Sequence, residues 1–150
     1  MRNDPRAEGQ RWLEQALVDL KWVRHLDQQG AYYLVCFLAQ QAAEKALKAV
    51  LYARGQEIVL GHSVRQLSQD LSADETRFVQ HVEEWGVLDS YYIPTRYPNG
   101  LPGGIPARVY NREAAASARG LAEAVLAAVE GWFGEMGDEE DAEQGDAGQA

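Results

Sequence analysis

An arginine set among aromatic residues is the group in this sequence best suited to chemistry. Arg96 lies next to Tyr97 and four residues after Tyr92, in a segment rich in proline and glycine. A planar guanidinium binds two phosphate oxygens at once, and tyrosine rings stack on any nucleobase. Arg96, Tyr92 and Tyr97 are therefore candidates for binding a nucleotide or RNA, with Arg96 also a candidate catalytic cation. Two alternatives stay open: the tyrosines pack the loop onto the protein, or Arg96 pins the loop through an ion pair with one of three nearby acids, Asp89, Glu83 or Glu84.

A polar stripe on an otherwise apolar helix is the second candidate. The predicted helix over residues 32–54 has five polar interior residues, which fall within about 140° of its circumference: Gln40, Gln41, Glu44, Lys45 and Lys48. Gln41, Lys45 and Lys48 would line a cleft and face a phosphate. The alternative is a solvated face with a Glu44–Lys48 pair, which would contribute about 0.2–0.5 kcal/mol.

The histidines and the single cysteine give weaker signals. His62, in Gly-His-Ser, is typical of a turn residue before a helix cap, with a catalytic role as the alternative, whereas His25 and His81 are expected at the surface. Cys36 lies in an apolar run and is predicted to be a small buried side chain. No His or Cys cluster has metal-ligand spacing, so we expect neither a metal nor a cofactor.

Apolar periodicity predicts that helices position these groups. Apolar residues recur at three- and four-residue spacing over 6–28 and over 111–133. Ser63 with Gln66 and Ser72 with Glu75 have the capping-box pattern that begins shorter helices. Trp22 lies outside the apolar face of the first helix and is a candidate contact for a partner or a second copy. No convincing strand alternation exists, so the predicted fold class is all-α.

A long loop interrupts this helical pattern before the last helix. Residues 89–110 contain four of the five prolines, three glycines and four tyrosines. Proline does not continue a helix, so the chain leaves the helices here and returns about twenty residues later. Its aromatic content favours an ordered loop over a disordered one, and long ordered loops are usually functional.

The length and the charge of the chain limit the functions that it can have. The chain has 150 residues and a net charge of −9, with seven acids and no base in residues 134–150. We therefore predict one domain over 1–133 and an acidic, disordered tail over 134–150, with mimicry of nucleic acid as the alternative role for the tail. The excess of acidic over basic residues excludes a domain that binds nucleic acid through a large net positive charge. No apolar run could span a membrane and no signal-peptide core is present, so we expect a cytoplasmic protein without membrane contact.

Two segments together resemble the HEPN family of small bacterial and archaeal helical proteins. One is Phe37-Leu-Ala-Gln-Gln-Ala-Ala-Glu-Lys-Ala-Leu-Lys-Ala49, followed by Gly61-His62-Ser63; the other is Leu88-Asp-Ser-Tyr-Tyr-Ile-Pro-Thr-Arg-Tyr-Pro98, leading to Leu-Pro-Gly-Gly. The similarity extends over about residues 8–132. It implies an up-and-down bundle of four or five helices, often a homodimer. It also implies a partner protein, a minimal nucleotidyltransferase encoded beside it, with which it forms a toxin–antitoxin pair.

The resemblance also allows a test for catalysis. Many HEPN proteins are metal-independent ribonucleases with an Arg and a His separated by four to six residues. If Arg96 is that arginine, the histidine should lie at 101–103, where the chain has Leu101, Pro102 and Gly103. A ribonuclease needs a base for the 2′-OH proton and a cation for the developing charge. The motif is therefore incomplete.

We predict from this a HEPN subunit that is not itself catalytic and that partners a nucleotidyltransferase. The partner could modify a tyrosine of the loop, for which the candidates are Tyr91, Tyr92 and Tyr97. Two alternatives remain open. One is a ribonuclease with a rearranged site, in which Arg96 is joined by His62, His81 or a tyrosine. The other is a module that binds a small nucleotide.

Overall fold

The computed structural model describes residues 4–148, which are helical with short connections and contain no strand. Three long helices form its frame: α1 (Pro5–Gln28), α2 (Tyr32–Ala53) and α7 (Arg112–Ala147). Four shorter helices lie between α2 and α7: α3 (Val64–Ser72), α4 (Thr76–Val79), α5 (Val82–Gly86) and α6 (Pro106–Val109). The all-α prediction is confirmed. No helix in this part of the chain is both long and apolar enough to cross a membrane.

Helices α1 and α2 run antiparallel and pack closely. Asp4 begins α1 by accepting a hydrogen bond from Ala7 N at 3.2 Å, and Gly30, at a φ of 76°, makes the turn after the helix. Trp12 near the start of α1 stacks on Tyr52 near the end of α2, with ring centroids 5.0 Å apart. The predicted bounds of both helices are confirmed to within one residue.

The core is built around α2, which packs against α1, α3, α6 and α7. Nearly every residue from Val35 to Leu51 is buried or half-buried, as the predicted central position of this helix requires. Trp85 and Trp132 are buried at 1% and 5% exposure, whereas Trp22 is 51% exposed, as its place on the helical wheel predicts. The stripe of polar residues is therefore held inside a frame of packed apolar side chains.

The segment after α3 differs from the prediction. Ser63 does begin α3, because its Oγ accepts from Gln66 N at 3.0 Å. Ser72, predicted to begin the next helix, is instead the last residue of α3, and its hydroxyl donates to Gln69 O at 2.7 Å. The single helix expected here is divided into α4 and α5. Arg77 explains part of this, because its Nη1 donates to Ala128 O of α7 at 3.2 Å and ties α4 to a distant helix.

The last helix is longer than predicted, since α7 continues to Ala147 instead of ending near Phe133. Glu135 pairs with Arg77 and Glu140 with Arg6, so two basic residues of the bundle hold the extension. Alanine, glutamate and glutamine, which favour helices, make up much of it. The acidic segment is helical as far as Ala147, and its last two residues lie outside the described part. The division into a domain and a disordered tail, with its boundary near residue 133, stays a prediction.

The predicted loop before α7 holds several short helical turns. Besides α6, 3-10 segments span Val87–Tyr91 and Pro98–Gly100. Thr95 is 2% exposed, and its hydroxyl donates to Tyr91 O. Tyr91 packs edge-on against Tyr110, with centroids 6.0 Å apart. These contacts fix the segment that carries Arg96.

Candidate functional site

Aromatic rings surround the guanidinium of Arg96. Its Cζ lies 4.4 Å from the ring centroid of Tyr92, 5.2 Å from that of Phe37 and 5.4 Å from that of Tyr97. Its Nε donates to Tyr92 O at 2.8 Å. Among residues 4–148, neither Nη atom has a hydrogen bond or an ion pair. The rings and the backbone thus hold a cation that keeps its two terminal nitrogens for a ligand.

The proposed ion pair between Arg96 and Asp89 is absent. Asp89 instead accepts three hydrogen bonds at the start of α3: from Ser63 Oγ at 2.8 Å, Val64 N at 2.7 Å and Arg65 N at 3.1 Å. Two of these donors are backbone N–H groups that a helix N-terminus leaves unpaired. Asp89 therefore joins the loop to α3 and is not available to Arg96.

The other two acids suggested as partners of Arg96 are also bound elsewhere. Glu83 Oε1 lies 2.7 Å from Arg65 Nη2, and Glu84 Oε2 lies 3.6 Å from His81 Nδ1. The hydrogen bond and the charge of Arg65 lower the pKa of Glu83, and Glu83 raises the pKa of Arg65 in return. The ion-pair interpretation of Arg96 is therefore wrong for all three acids.

His62 lies in the same site, held by a buried carboxylate. Its Nδ1 is 2.8 Å from Oε1 of Glu44, a residue with only 4% exposure, and Gln40 Nε2 donates to the His62 carbonyl at 2.7 Å. An ionised carboxylate only accepts hydrogen bonds, so the imidazole donates from Nδ1. In a neutral imidazole this leaves Nε2 as an acceptor. The side chain is 58% exposed, so solvent reaches it.

Tyr92 connects the histidine to the arginine. The His62 ring stacks on the Tyr92 ring at 4.9 Å between centroids and 19° between planes, while Arg96 lies 4.4 Å from the same ring centroid. The sequence pattern indicates His62 and Arg96 separately and does not predict this contact. The sequence pattern also does not identify Glu44 as the partner of His62. Its only indication of a role for Glu44 is the position of that residue in the polar stripe of α2. We call Glu44, His62, Tyr92, Arg96 and Tyr97 the Arg96 site.

The remaining polar residues of α2 are bound to one another or to α1. Gln41 donates to Gln40 Oε1 at 2.7 Å, and Gln40 in turn donates to the His62 carbonyl. Lys48 Nζ lies 4.0 Å from Glu44 Oε2, so the predicted pair exists. It is buried rather than solvated, with side chains 8% and 5% exposed. Burying two charges is costly, and such a pair is weak evidence for stability.

Lys45 lies on the α1 side of the stripe. Its Nζ is 2.6 Å from Asp19 Oδ2, and Gln15 Nε2 donates to Asp19 Oδ1 at 2.9 Å. The structure thus brings Arg96, Tyr92 and Tyr97 together, and Gln41 is linked to the His62 carbonyl through Gln40. Lys45 pairs with Asp19 of α1 and Lys48 with Glu44 of α2, and their predicted role in phosphate binding stays untested.

The three loop tyrosines differ in accessibility. Tyr91 is half-buried, and burial raises the pKa of its phenol and that of Tyr110. Tyr97 is 53% exposed, and its hydroxyl has no hydrogen bond to any residue between 4 and 148. Tyr92 lies against His62 and Arg96. Tyr97 is therefore the most exposed of the three tyrosines.

The other histidines and the cysteine lie outside the Arg96 site. His25 is exposed on α1, and His81 stacks on Trp85 at 4.6 Å between centroids. Cys36 is fully buried, as predicted. No group of three or more His, Cys, Asp or Glu residues between 4 and 148 could hold a metal ion.

Comparison with known proteins identifies the family. The HEPN domain profile matches residues 10–132. The structure is similar to that of TT1696 from Thermus thermophilus, at 45% identity, a TM-score of 0.72 and coverage of 82% of this chain and 96% of that one. It is also similar to ST0689, an archaeal HEPN homologue, at 33% identity, a TM-score of 0.67 and coverage of 84% and 98%. A third similar structure is the HEPN domain protein tm0613 from Thermotoga maritima, at 28% identity, a TM-score of 0.60 and coverage of 83% and 98%. No curated protein matches the chain. The chain belongs to the HEPN domain family.

Proposed function

We propose that this chain is the HEPN subunit of a toxin–antitoxin-like pair with a minimal nucleotidyltransferase, and that its Arg96 site binds the phosphate of a nucleotide or RNA. The observation that carries the binding role is the guanidinium of Arg96, which lies against three aromatic rings without an acidic partner among the described residues. Family membership supports the partnership. The residues at 101–103 argue against catalysis through the family's Arg–His motif.

The chemistry of the site fits a nucleotide better than a simple anion. A guanidinium with two uncommitted nitrogens matches two phosphate oxygens. The Tyr97 ring, 53% exposed beside it, offers a face on which a base can stack. This combination explains how a chain with a net charge of −9 could bind nucleic acid locally, without a basic surface.

Substitution of Arg96 tests the binding role. We expect Arg96→Ala to weaken binding of a fluorescein-labelled single-stranded RNA, or of ATP, by about 10- to 100-fold, because charged hydrogen bonds contribute about 1.5–3 kcal/mol. Arg108→Ala is the matched control, since it removes the same charge from an exposed position on α6. Fluorescence anisotropy measures affinity, and circular dichroism checks folding. Equal losses of affinity in the two variants would mean that only the net charge of the protein matters, and this would contradict the proposal.

The partnership is tested by nucleotidyl transfer. We expect a minimal nucleotidyltransferase partner, with ATP, to attach a nucleotidyl group to Tyr97, which is 53% exposed and whose hydroxyl has no hydrogen bond within the described chain. Peptide mass spectrometry locates the label. Tyr97→Phe should abolish it and Tyr91→Phe should not. Transfer to a half-buried Tyr91, or no transfer, would contradict this assignment.

The proposed assembly includes a homodimer. Trp22 supports it, because it is 51% exposed on α1 and tryptophan is a typical interface anchor. We expect sedimentation velocity to show a dimer that Trp22→Ala weakens. The exposed Lys21→Ala on the same helix should leave it unchanged.

A further inference from the structure

A small polar cavity lies where the end of α1, the start of α2 and the start of α7 meet. Its volume is about 320 Å³, and its lining residues are Asp27 and Gln28 of α1, Tyr32 of α2, and Arg112, Ala116 and Arg119 of α7. None of these residues belongs to the Arg96 site. We infer that this cavity, which we call the Arg112 cavity, is a second anion site and takes the phosphate group of a small phosphorylated molecule.

The guanidinium of Arg112 is held through one nitrogen and leaves the other two open. Its Nε donates to the Tyr32 hydroxyl at 3.2 Å. In the part of the chain that the structure describes, neither of its Nη atoms has a hydrogen bond or an ion pair. The side chain is exposed, so a ligand in the cavity can reach both nitrogens. A guanidinium fork of this kind matches two oxygens of one phosphate.

The acids in the ion-pair network beside Arg112 are already paired with other arginines. Asp27, whose side chain is 13% exposed, pairs with Arg119 Nη1. Glu123 Oε1 lies 3.3 Å from Arg24 Nε and 3.6 Å from Arg119 Nε. The two arginines and the two carboxylates of this network balance each other. The positive charge of Arg112 is therefore left for a ligand.

Hydrogen-bond donors reach the cavity from all three helices. Besides the two nitrogens of Arg112, the Gln28 amide and Arg119 Nη2 have no hydrogen bond to the described residues. The Tyr32 hydroxyl accepts from Arg112 and keeps its own proton to donate. A carboxylate offers its oxygens in one plane, whereas a phosphate offers oxygens in a tetrahedral arrangement. Donors that come from three sides therefore suit a phosphate better than a carboxylate.

The size and the lining of the cavity favour a small ligand over a nucleic acid strand. Its volume of about 320 Å³ is at the low end for small-molecule sites, which run from roughly 300 to 1,000 Å³. Beside Arg96, the exposed Tyr97 ring offers a base a face to stack on, whereas the tyrosine beside Arg112 is half-buried. The Arg112 cavity thus suits a phosphate that carries little more than a sugar.

The experiment titrates the full chain with ribose 5-phosphate in an isothermal calorimeter at low salt, with ribose as the ligand that lacks the phosphate. The Arg96→Ala variant is the background, so that the Arg96 site does not contribute. We expect this variant to bind ribose 5-phosphate at a single site and not to bind ribose. Adding Arg112→Ala should weaken binding by about 10- to 100-fold, because charged hydrogen bonds are lost. Arg108→Ala, which removes an exposed charge on α6, is the matched control and should bind as the background does.

Two conservative variants test the geometry of the site. Arg112→Lys keeps the charge but lacks the planar fork, so its affinity should lie between those of the background and Arg112→Ala. Tyr32→Phe removes the hydroxyl that accepts from Arg112 Nε and should weaken binding by about 2- to 10-fold. Circular dichroism checks that both variants fold. Full affinity in Arg112→Lys would mean that only the charge matters and would overturn the inference.

The outcomes separate this inference from the proposed function. No binding of ribose 5-phosphate by the Arg96→Ala chain, or binding that Arg112→Ala leaves undiminished, overturns the inference. If Arg112→Ala weakens only the binding of labelled single-stranded RNA, the phosphate comes from a strand and the small-molecule inference is wrong. RNA binding that does not depend on Arg96 contradicts the proposed function and leaves the Arg112 cavity unaffected, because the two sites share no residue.

Discussion

Lys45 Nζ lies 2.6 Å from Asp19 Oδ2, and this ion pair joins α1 to α2 where the two side chains are only 26% and 10% exposed. Gln15 supports it by donating to the other carboxylate oxygen at 2.9 Å. One residue of the polar stripe of α2 thus stabilises the packing of α2 against α1. The pair therefore matters first for the stability of the site's framework.

Removal of Asp19 should destabilise the fold more than it affects binding. We expect Asp19→Ala to lower the free energy of unfolding by about 1–3 kcal/mol, because Lys45 would keep a largely buried ammonium without its carboxylate. Asp19→Asn retains an acceptor oxygen and should lose less. Urea denaturation measures both. A smaller loss for Ala than for Asn would contradict this account.

Gly9 marks the closest approach of α1 to α2. A Cβ added there would lie 2.6 Å from Ala49 O and 2.7 Å from Ala53 Cβ, so the helices must move apart. We expect Gly9→Ala to cost about 1–3 kcal/mol. Gly120→Ala on α7, where an added Cβ would meet no atom within 4 Å beyond the local helix backbone, should instead stabilise by about 0.5–1 kcal/mol because it restores helix propensity. Opposite shifts in thermal midpoint are the expected result, and equal shifts would argue against the tight crossing.

Asp89 connects the two segments that carry His62 and Tyr92. It accepts from Ser63 Oγ, Val64 N and Arg65 N, so its loss would free the start of α3. We expect Asp89→Ala to cost about 0.5–2 kcal/mol, the range for a lost helix cap, and to weaken RNA binding as well. Asp89→Asn keeps a hydrogen-bond acceptor and should lose less stability and less RNA affinity. Full binding by Asp89→Ala would show that the cap does not organise the site.

The first two helices follow from local signals, which explains why the sequence predicts their bounds well. Asp4 followed by Pro5 begins α1, and glycines at positive φ follow α1 and α2 at Gly30 and Gly55. The preferences of particular residues for helix starts and ends act over a few positions, so they can be recognised directly in a sequence. Apolar periodicity adds the buried face. Little else is needed to predict the framework.

The site is harder to predict because its contacts join distant positions. Glu44 meets His62 across 18 residues, and Tyr92 then stacks on that histidine from a third segment. A distant contact also contributes to the division of the segment after α3, since Arg77 donates to a carbonyl 51 residues away. The motif at Arg96 points to the correct loop, but no local spacing identifies the histidine that folding brings to it.

The acidic end of α7 should contribute little to the fold. Residues 138–146 are exposed, and only the Arg6–Glu140 pair ties them to the bundle among the described contacts. We expect a chain ending at Gly137 to keep its thermal midpoint within about 2 °C, since exposed contacts contribute about 0.5 kcal/mol or less. A chain ending at Gly131 loses the buried Trp132 and Phe133 and should unfold far more easily. A large loss in the longer chain would make the acidic segment part of the domain.

Burial of Cys36 gives a prediction about alkaline pH. Burial, with the nearby charge of Asp27, raises the pKa of its thiol from 9.0 to about 12. An unfolded chain therefore loses this proton first, so the free energy of unfolding should fall as pH rises from about 9 towards 12. The slope for one proton is about 1.4 kcal/mol per pH unit. Tyr91 and Tyr110, whose pKa values burial also raises, add to the loss above pH 10.

Cys36→Ala separates the thiol from the tyrosines. Urea denaturation at pH 8, 9 and 10 should show a smaller fall in stability for this variant, because the tyrosines titrate later. Iodoacetamide gives an independent measure, since only the thiolate reacts. We expect no alkylation of the folded chain at pH 8.5 and rapid alkylation in urea. Equal reactivity in both states would mean that the α2 core opens readily around Cys36, and the packing that positions Glu44 on the same helix would then be looser than its burial implies.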